Sequence, residues 1–266
     1  SVGSSGLVNA NSETYASWCW KMGTAFSNDA SATSVGSIDS SGSINTTAGQ
    51  SIISWTGSGS AATIAHGLGA QPQVVFVKNR DDTASWNVYT VVGGGGKGLF
   101  LNENNGFDTD SSYFNGGTAS TTTFPVGTAN TANGSSDDMI AYCFADVKGY
   151  SRISSFVGNA DTDGPWVFCG FRPSFVLIKN TAASEHWRLY DNKRDSHNHM
   201  YHVIYGNDSG VEATTDNASE EIDFLSTGFK IRSSAQQLNG SGHTIFFMAF
   251  AEAPLVNSKN VPNNAR

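Results

Sequence analysis

Few residues in this 266-residue chain have the types and spacing that chemistry needs. The run Asp161-Thr-Asp-Gly-Pro-Trp166 is the best of them. A flat aromatic face stacks on the C–H groups of a sugar while nearby carboxylates take its hydroxyls. Trp166 with Asp161 and Asp163 therefore reads as a loop-borne glycan contact. The same Asp-x-Asp-Gly order offers oxygens to Ca2+, but one such run supplies too few of the roughly six to eight that this ion takes. A second cluster is His197-Asn-His199. On a strand the two imidazoles would face one side. Three chains around a threefold axis would then gather six imidazoles about one transition metal. The plainer reading is a polar loop with exposed histidines.

The remaining candidates are weaker. Asp146 and Glu252 end two similar segments, Phe144-Ala-Asp146 and Phe250-Ala-Glu252. A paired-carboxylate hydrolase would need them in one cleft about 5–10 Å apart. Equivalent acids of successive units are expected to stand apart, so strand-end solvation or turn hydrogen bonding is the plainer role. Cys19, Cys143 and Cys169 lack a His or acid at a motif-like position. They read as reduced, half-buried core thiols. Enzymatic activity has no support in these residues.

The elements that must position these groups come in two copies. Pro72, Trp86 and Tyr89 recur as Pro173, Trp187 and Tyr190, each 101 positions on (173−72, 187−86, 190−89). Gly57, Gly69, Val75 and Lys78-Asn79 recur at the same offset as Gly158, Gly170, Val176 and Lys179-Asn180. A period of about 100 residues is the size of a small domain rather than of a solenoid repeat. Asn133-Gly134 and Phe144 answer to Asn239-Gly240 and Phe250 at offset 106, so the second copy carries an insertion between Tyr190 and Asn239. The repeated Trp86 and Trp187 are expected to be core aromatics.

Short apolar runs bounded by turn residues, such as Gln73–Asn79 and Ser174–Asn180 after a Gly-x-x-Pro turn, predict strands throughout. No capped helix of ordinary length is predicted. The expectation is an all-β protein with two tandem β-sandwich, jelly-roll-like repeats over 51–148 and 149–255. Trp18-Cys19-Trp20 resembles Tyr142-Cys143-Phe144, so residues 1–22 are expected to hold the closing strand of an upstream repeat. Residues 23–50, rich in Ser, Thr, Gly and Asn, read as an extended polar linker or a weak hairpin. Residues 256–266 read as a surface tail. The chain starts at Ser1 without an initiator Met or signal peptide, which suggests the C-terminal part of a longer polypeptide.

Composition narrows the partners. Charged residues make up 14% of the chain and the net charge is −8, so no basic stripe is present for nucleic acid. No apolar run reaches the ~20 residues of a membrane helix.

Thr46-Thr-Ala-Gly49 before Ile52-Ile-Ser-Trp-Thr-Gly57, Ala65-His-Gly-Leu-Gly69, Tyr142-Cys-Phe-Ala-Asp-Val147 leading to Gly149-Tyr150, Asp163-Gly-Pro-Trp166 and Gly170-Phe-Arg-Pro173 together resemble a repeat module of tailed-phage virion proteins, especially marine ones. There the module follows concanavalin-A-like lectin domains in tail-fibre or other surface proteins. The resemblance spans nearly the whole chain and carries no catalytic residues over. It implies a non-enzymatic structural or receptor-binding module of a virion appendage, made in the host cytoplasm and displayed on the virion surface. The implied partners are other virion subunits, further copies of the chain with a trimer favoured, and host surface glycan. A bacterial surface adhesin or filament subunit is the main alternative, and a glycan depolymerase the second.

Overall fold

The computed structural model describes residues 9–252; the tail over 256–266 lies outside them. Among the described residues there are seventeen strands and four single-turn helices, an all-β, sandwich-like architecture. In the first half, a large sheet has the order β1-β2-β3-β9-β5-β6-β7. Its strands are β1 (Thr24–Asn28), β2 (Ser40–Asn45), β3 (Gln50–Thr56), β5 (Pro72–Asn79), β6 (Asn87–Thr90), β7 (Leu99–Phe100) and β9 (Asp138–Ala145). A small sheet pairs β4 (Ala62–Ala65) with β8 (Thr123–Val126).

In the second half, a five-stranded sheet has the order β10-β17-β12-β13-β14. These are β10 (Ser151–Val157), β12 (Pro173–Asn180), β13 (Arg188–Asp191), β14 (Ile204–Tyr205) and β17 (Thr244–Ala251). Its small companion has the order β11-β16-β15, from β11 (Trp166–Phe168), β15 (Ile222–Leu225) and β16 (Gly228–Ile231).

The period-2 alternation of strand side chains builds three apolar layers from these four sheets. On β17, Ile245, Phe247 and Ala249 point into one core with Val176, Ile178, Phe224 and Phe229. The intervening Phe246, Met248 and Phe250 point the other way, into a layer shared with Val74, Phe76 and Leu99 of the first half. On β9, Met139, Ala141 and Cys143 face the first core, while Tyr142 and Phe144 border the shared layer. Both faces of the closing strands are therefore buried, which explains why they read as near-continuous apolar runs. Pro72 and Pro173 begin β5 and β12, where a missing N–H costs no ladder bond, and each is followed by a register shift against its closing strand. Gly57 and Gly158 match because a Cβ there would lie 2.0 Å from the Gly134 oxygen and 2.3 Å from the Gly240 oxygen.

Residues 23–50 depart from the linker expectation. Strands β1 and β2 form a hairpin, and β2 pairs with β3 as part of the first large sheet. Ser37 N donates to Thr63 O at 2.8 Å, so the same segment also covers the edge of β4. Phe26, Ile38 and Ile44 pack into the first core. Small polar side chains hid these strands because the pairing is made by backbone groups, which any residue but proline carries in full. In the second half, the outer edges of β10 and β11 have no strand partner among the described residues.

The described part of 1–22 is not a closing strand. Residues 14–22 are coil, and Trp20 stacks edge-on against Phe144 of the first half and Phe175 and Phe250 of the second. This segment seals the seam between the halves. Cys19 is exposed, contrary to the core-thiol expectation, because it alternates with Trp18 and Trp20, whose rings take the inward side.

Candidate functional site

The best-supported site is built around β11. Val167 lies in the second core, so its neighbours Trp166 and Phe168 must point outward. They are 54% and 59% exposed, with ring centroids 5.8 Å apart in an edge-to-face arrangement. Burying two large aromatics would stabilise the fold by kcal/mol amounts, so leaving them side by side in water is costly. Trp166 thus starts an edge strand rather than sitting in a loop.

Lys230 of β16 is directly opposite Trp166 in the sheet register. Its ammonium pairs with Asp163 Oδ1 at 2.7 Å and donates to Gly164 O at 2.8 Å. The hydrogen bond and charge of Lys230 hold the Asp163 carboxyl below the usual carboxylate range. An aromatic shelf, an ammonium and an ionised carboxylate therefore stand next to one another. Asp161 plays a different part: its Oδ1 accepts from the Asp163 N–H at 2.9 Å, fixing the turn that presents Asp163. With Asp161 turned to backbone and Asp163 on Lys230, the two do not form a shared calcium cage.

Asn239 organises this loop from beneath. Its side-chain amide donates to Asn159 Oδ1, Asp161 O and Ser233 O at 2.8, 2.8 and 2.9 Å, and its Oδ1 accepts from Asn159 N. Asn133 does the same work in the first half, accepting from Trp55 Nε1 at 3.0 Å and donating to Ser60 O at 2.7 Å. The repeated Lys-Asn pair is also a loop anchor. Lys78 Nζ donates to the carbonyls of Asn79, Asp82 and Ala84, and Lys179 Nζ to those of Asn104, Asn180, Ala183 and Glu185. Burial, then the Arg188 guanidinium, pushes Lys179 down to about 7. A lysine so shifted is a candidate nucleophile, but this one is fully buried and surrounded by carbonyl acceptors, so it anchors structure.

The other candidates fall out as follows. His197 and His199 lie in a bend rather than a strand, so the same-side argument fails. His197 contacts Ser196 Oγ at 2.9 Å, whereas His199 Nε2 approaches Asp216 at 3.4 Å and Glu221 at 3.6 Å. Both partners are far in sequence from His199 and carry no motif, so sequence reading missed them. Asp146 pairs with Arg152 at 2.6 Å and Glu252 with Lys193 at 2.5 Å, each acid with its own cation. Burial raises the Asp146 carboxyl, while hydrogen bonds from Lys193 and Asn192 lower that of Glu252. Burial pushes the Cys143 and Cys169 thiols up to about 12, so neither is a ready thiolate. Trp187 is buried and Trp86 only half-buried, so the two equivalent indoles do not share one role.

A cleft of about 1020 Å³ lies between Tyr15, Trp18, Phe175, Arg194 and Val211. Of its charged groups, Arg194 is engaged with Asp191 and Glu212, and Lys193 with Glu252. No helix among the described residues is long and apolar enough to cross a membrane.

An all-β, sandwich-like scaffold carrying an exposed aromatic pair beside an ion pair defines the protein in structural terms. Residues 1–254 match the family described as a domain of unknown function (DUF7483), and the chain belongs to that family. No curated protein and no solved structure matches it.

Proposed function

We propose that the chain is a non-enzymatic binding module of a virion appendage, built from two tandem jelly-roll-like β-sandwich repeats, which attaches to host surface glycan through Trp166 and Phe168. The duplication is supported by the equal strand orders β3-β9-β5-β6-β7 and β10-β17-β12-β13-β14. It is also supported by the equivalent pairings Pro72 with Ala145 and Pro173 with Ala251. The placement on a virion, and assembly with further copies or other virion subunits, rest on the resemblance of the sequence motifs to phage tail-fibre modules.

The single observation that carries the binding role is the exposed Trp166–Phe168 pair beside Lys230 and Asp163. Rings offer C–H stacking, and the charged pair offers hydrogen bonds to hydroxyl or carboxylate groups of a sugar. The site lies at a sheet edge on a rigid scaffold, which suits recognition without closure. The test is binding of purified protein to immobilised host envelope polysaccharide. Wild type should bind without releasing reducing ends, and Trp166→Ala with Phe168→Ala should lose binding at an unchanged melting temperature. Release of reducing ends would instead support the depolymerase alternative.

A further inference from the structure

The insertion between β13 and β15 holds a second cluster, separate from the aromatic shelf. Met200 N donates to Ile222 O at 2.7 Å and Ile222 N to Met200 O at 3.1 Å, an isolated antiparallel bridge. Met200 and Ile222 both point into the second core. The side chains that precede these two, His199 and Glu221, lie outside that core and are partly exposed. They come together beside the bridge, with His199 Nε2 3.6 Å from Glu221 Oε1. Asp216 reaches the same point from the coil ahead of the turn that precedes β15. One ligand atom from each of the three lies within 4.8 Å of the others.

Two features favour a cation at this point. Among the described residues, neither Asp216 nor Glu221 makes an ion pair with any Lys or Arg, while the nearby Asp223 is paired with Arg232 at 2.5 Å. Two carboxylates thus share one imidazole, an arrangement short of positive charge at neutral pH. The two spacings from the imidazole also fit, with the two carboxylate oxygens no more than 4.8 Å apart. Metal–ligand bonds of about 2.0–2.1 Å in tetrahedral geometry place neighbouring donors roughly 3.3–3.4 Å apart. The imidazole Nε2 stands 3.4 Å from Asp216 Oδ1 and 3.6 Å from Glu221 Oε1.

We propose that His199, Asp216 and Glu221 bind one divalent transition metal of the zinc type, with water in the fourth position. A donor set of one imidazole and two carboxylates suits Zn2+ or Co2+ rather than Ca2+, which takes more oxygens and no nitrogen. The ion would tie the segment that carries His199 to the stretch that carries Asp216 and Glu221, beside the isolated bridge of Met200 and Ile222. It requires a single chain and excludes His197, unlike an ion shared by His197 and His199 on a threefold axis.

The test is titration of chelator-treated protein with Zn2+ and Co2+. Wild type and His197→Ala should gain melting temperature with Zn2+ and develop the intense visible absorption of tetrahedral Co2+. His199→Ala should lose the absorption and weaken Zn2+ binding by more than the roughly 10–100-fold that follows loss of an outer-shell partner. Glu221→Gln, which preserves shape, should show the same weakening and guards against a folding defect in the first variant. Zn2+ binding of equal strength in His199→Ala, or a wild type that shows no Co2+ absorption, would overturn the site.

Discussion

The indole Nε1 of Trp187 donates to the carbonyl oxygen of Phe100 at 2.9 Å, a hydrogen bond that crosses from the second half of the chain to the first. Trp187 is fully buried in the layer between the two large sheets and packs edge-on against Phe246. Its sequence counterpart Trp86 is half-buried and rests tilted on Tyr142. Trp187→Ala should therefore destabilise the protein by about 3–5 kcal/mol in denaturant melts. Trp86→Ala should cost about 1–2 kcal/mol. Equal costs would mean that the shared layer is not where the second indole does its work.

Trp20 touches Phe144, Phe175 and Phe250, all three at ring-centroid distances of 5.4 to 5.9 Å. Each edge-to-face pair is worth about 0.5–1.5 kcal/mol beyond burial. Trp20→Ala should lower stability by roughly 1–3 kcal/mol, whereas Cys19→Ser, at an exposed position between two indoles, should change it by less than about 0.5 kcal/mol. A neutral Trp20 variant in urea unfolding would show that the segment only lies against the seam.

Most of the β architecture was legible because apolar alternation and Gly-x-x-Pro turns act locally. Ser174–Asn180 is found as β12, and Gln73–Asn79 as β5. What was not legible depends on pairing or on distant residues. The stretch 23–50 reads as a linker or a weak hairpin, but the joining of β2 to β3 in the large sheet rests on backbone bonds that small polar residues do not advertise. The inward turn of Trp18 and Trp20 requires the groove between two halves that sequence alone does not place. Trp166 was found from its aspartates, but Phe168 was missed, since its exposure follows only once Val167 is known to face the core. Asp216 and Glu221 join His199 through a bridge at Met200 and Ile222 that no local pattern encodes.

His66 supplies a pH-dependent prediction. It is buried, Leu68 N donates to its Nδ1 at 3.2 Å, and Nε2 faces Ser120 O at 3.3 Å. Burial holds it neutral and lowers its pKa from 6.5 to about 4. The folded state then binds fewer protons than the unfolded chain between those values, so stability is complete above pH 6.5 and is lost as pH falls towards 4. The gap corresponds to about 3 kcal/mol at most. His66→Asn should flatten this part of the stability profile, as followed by urea unfolding at pH 7.5, 6, 5 and 4, values bracketing the window of about 4 to 6.5. An unchanged slope would place the acid sensitivity elsewhere.

The aromatic shelf is the centre of the functional account, and one comparison tests it most directly. Wild type, Trp166→Ala and Trp187→Phe are measured side by side for binding to host cells or their purified envelope polysaccharide, with the melting temperature of each. Trp166 is exposed and outside every core layer, so its loss should reduce binding at least about tenfold, a change of about 1.4 kcal/mol, at an unchanged melting temperature. Trp187→Phe should lower the melting temperature and leave binding intact. Full binding by the Trp166→Ala protein would contradict the account.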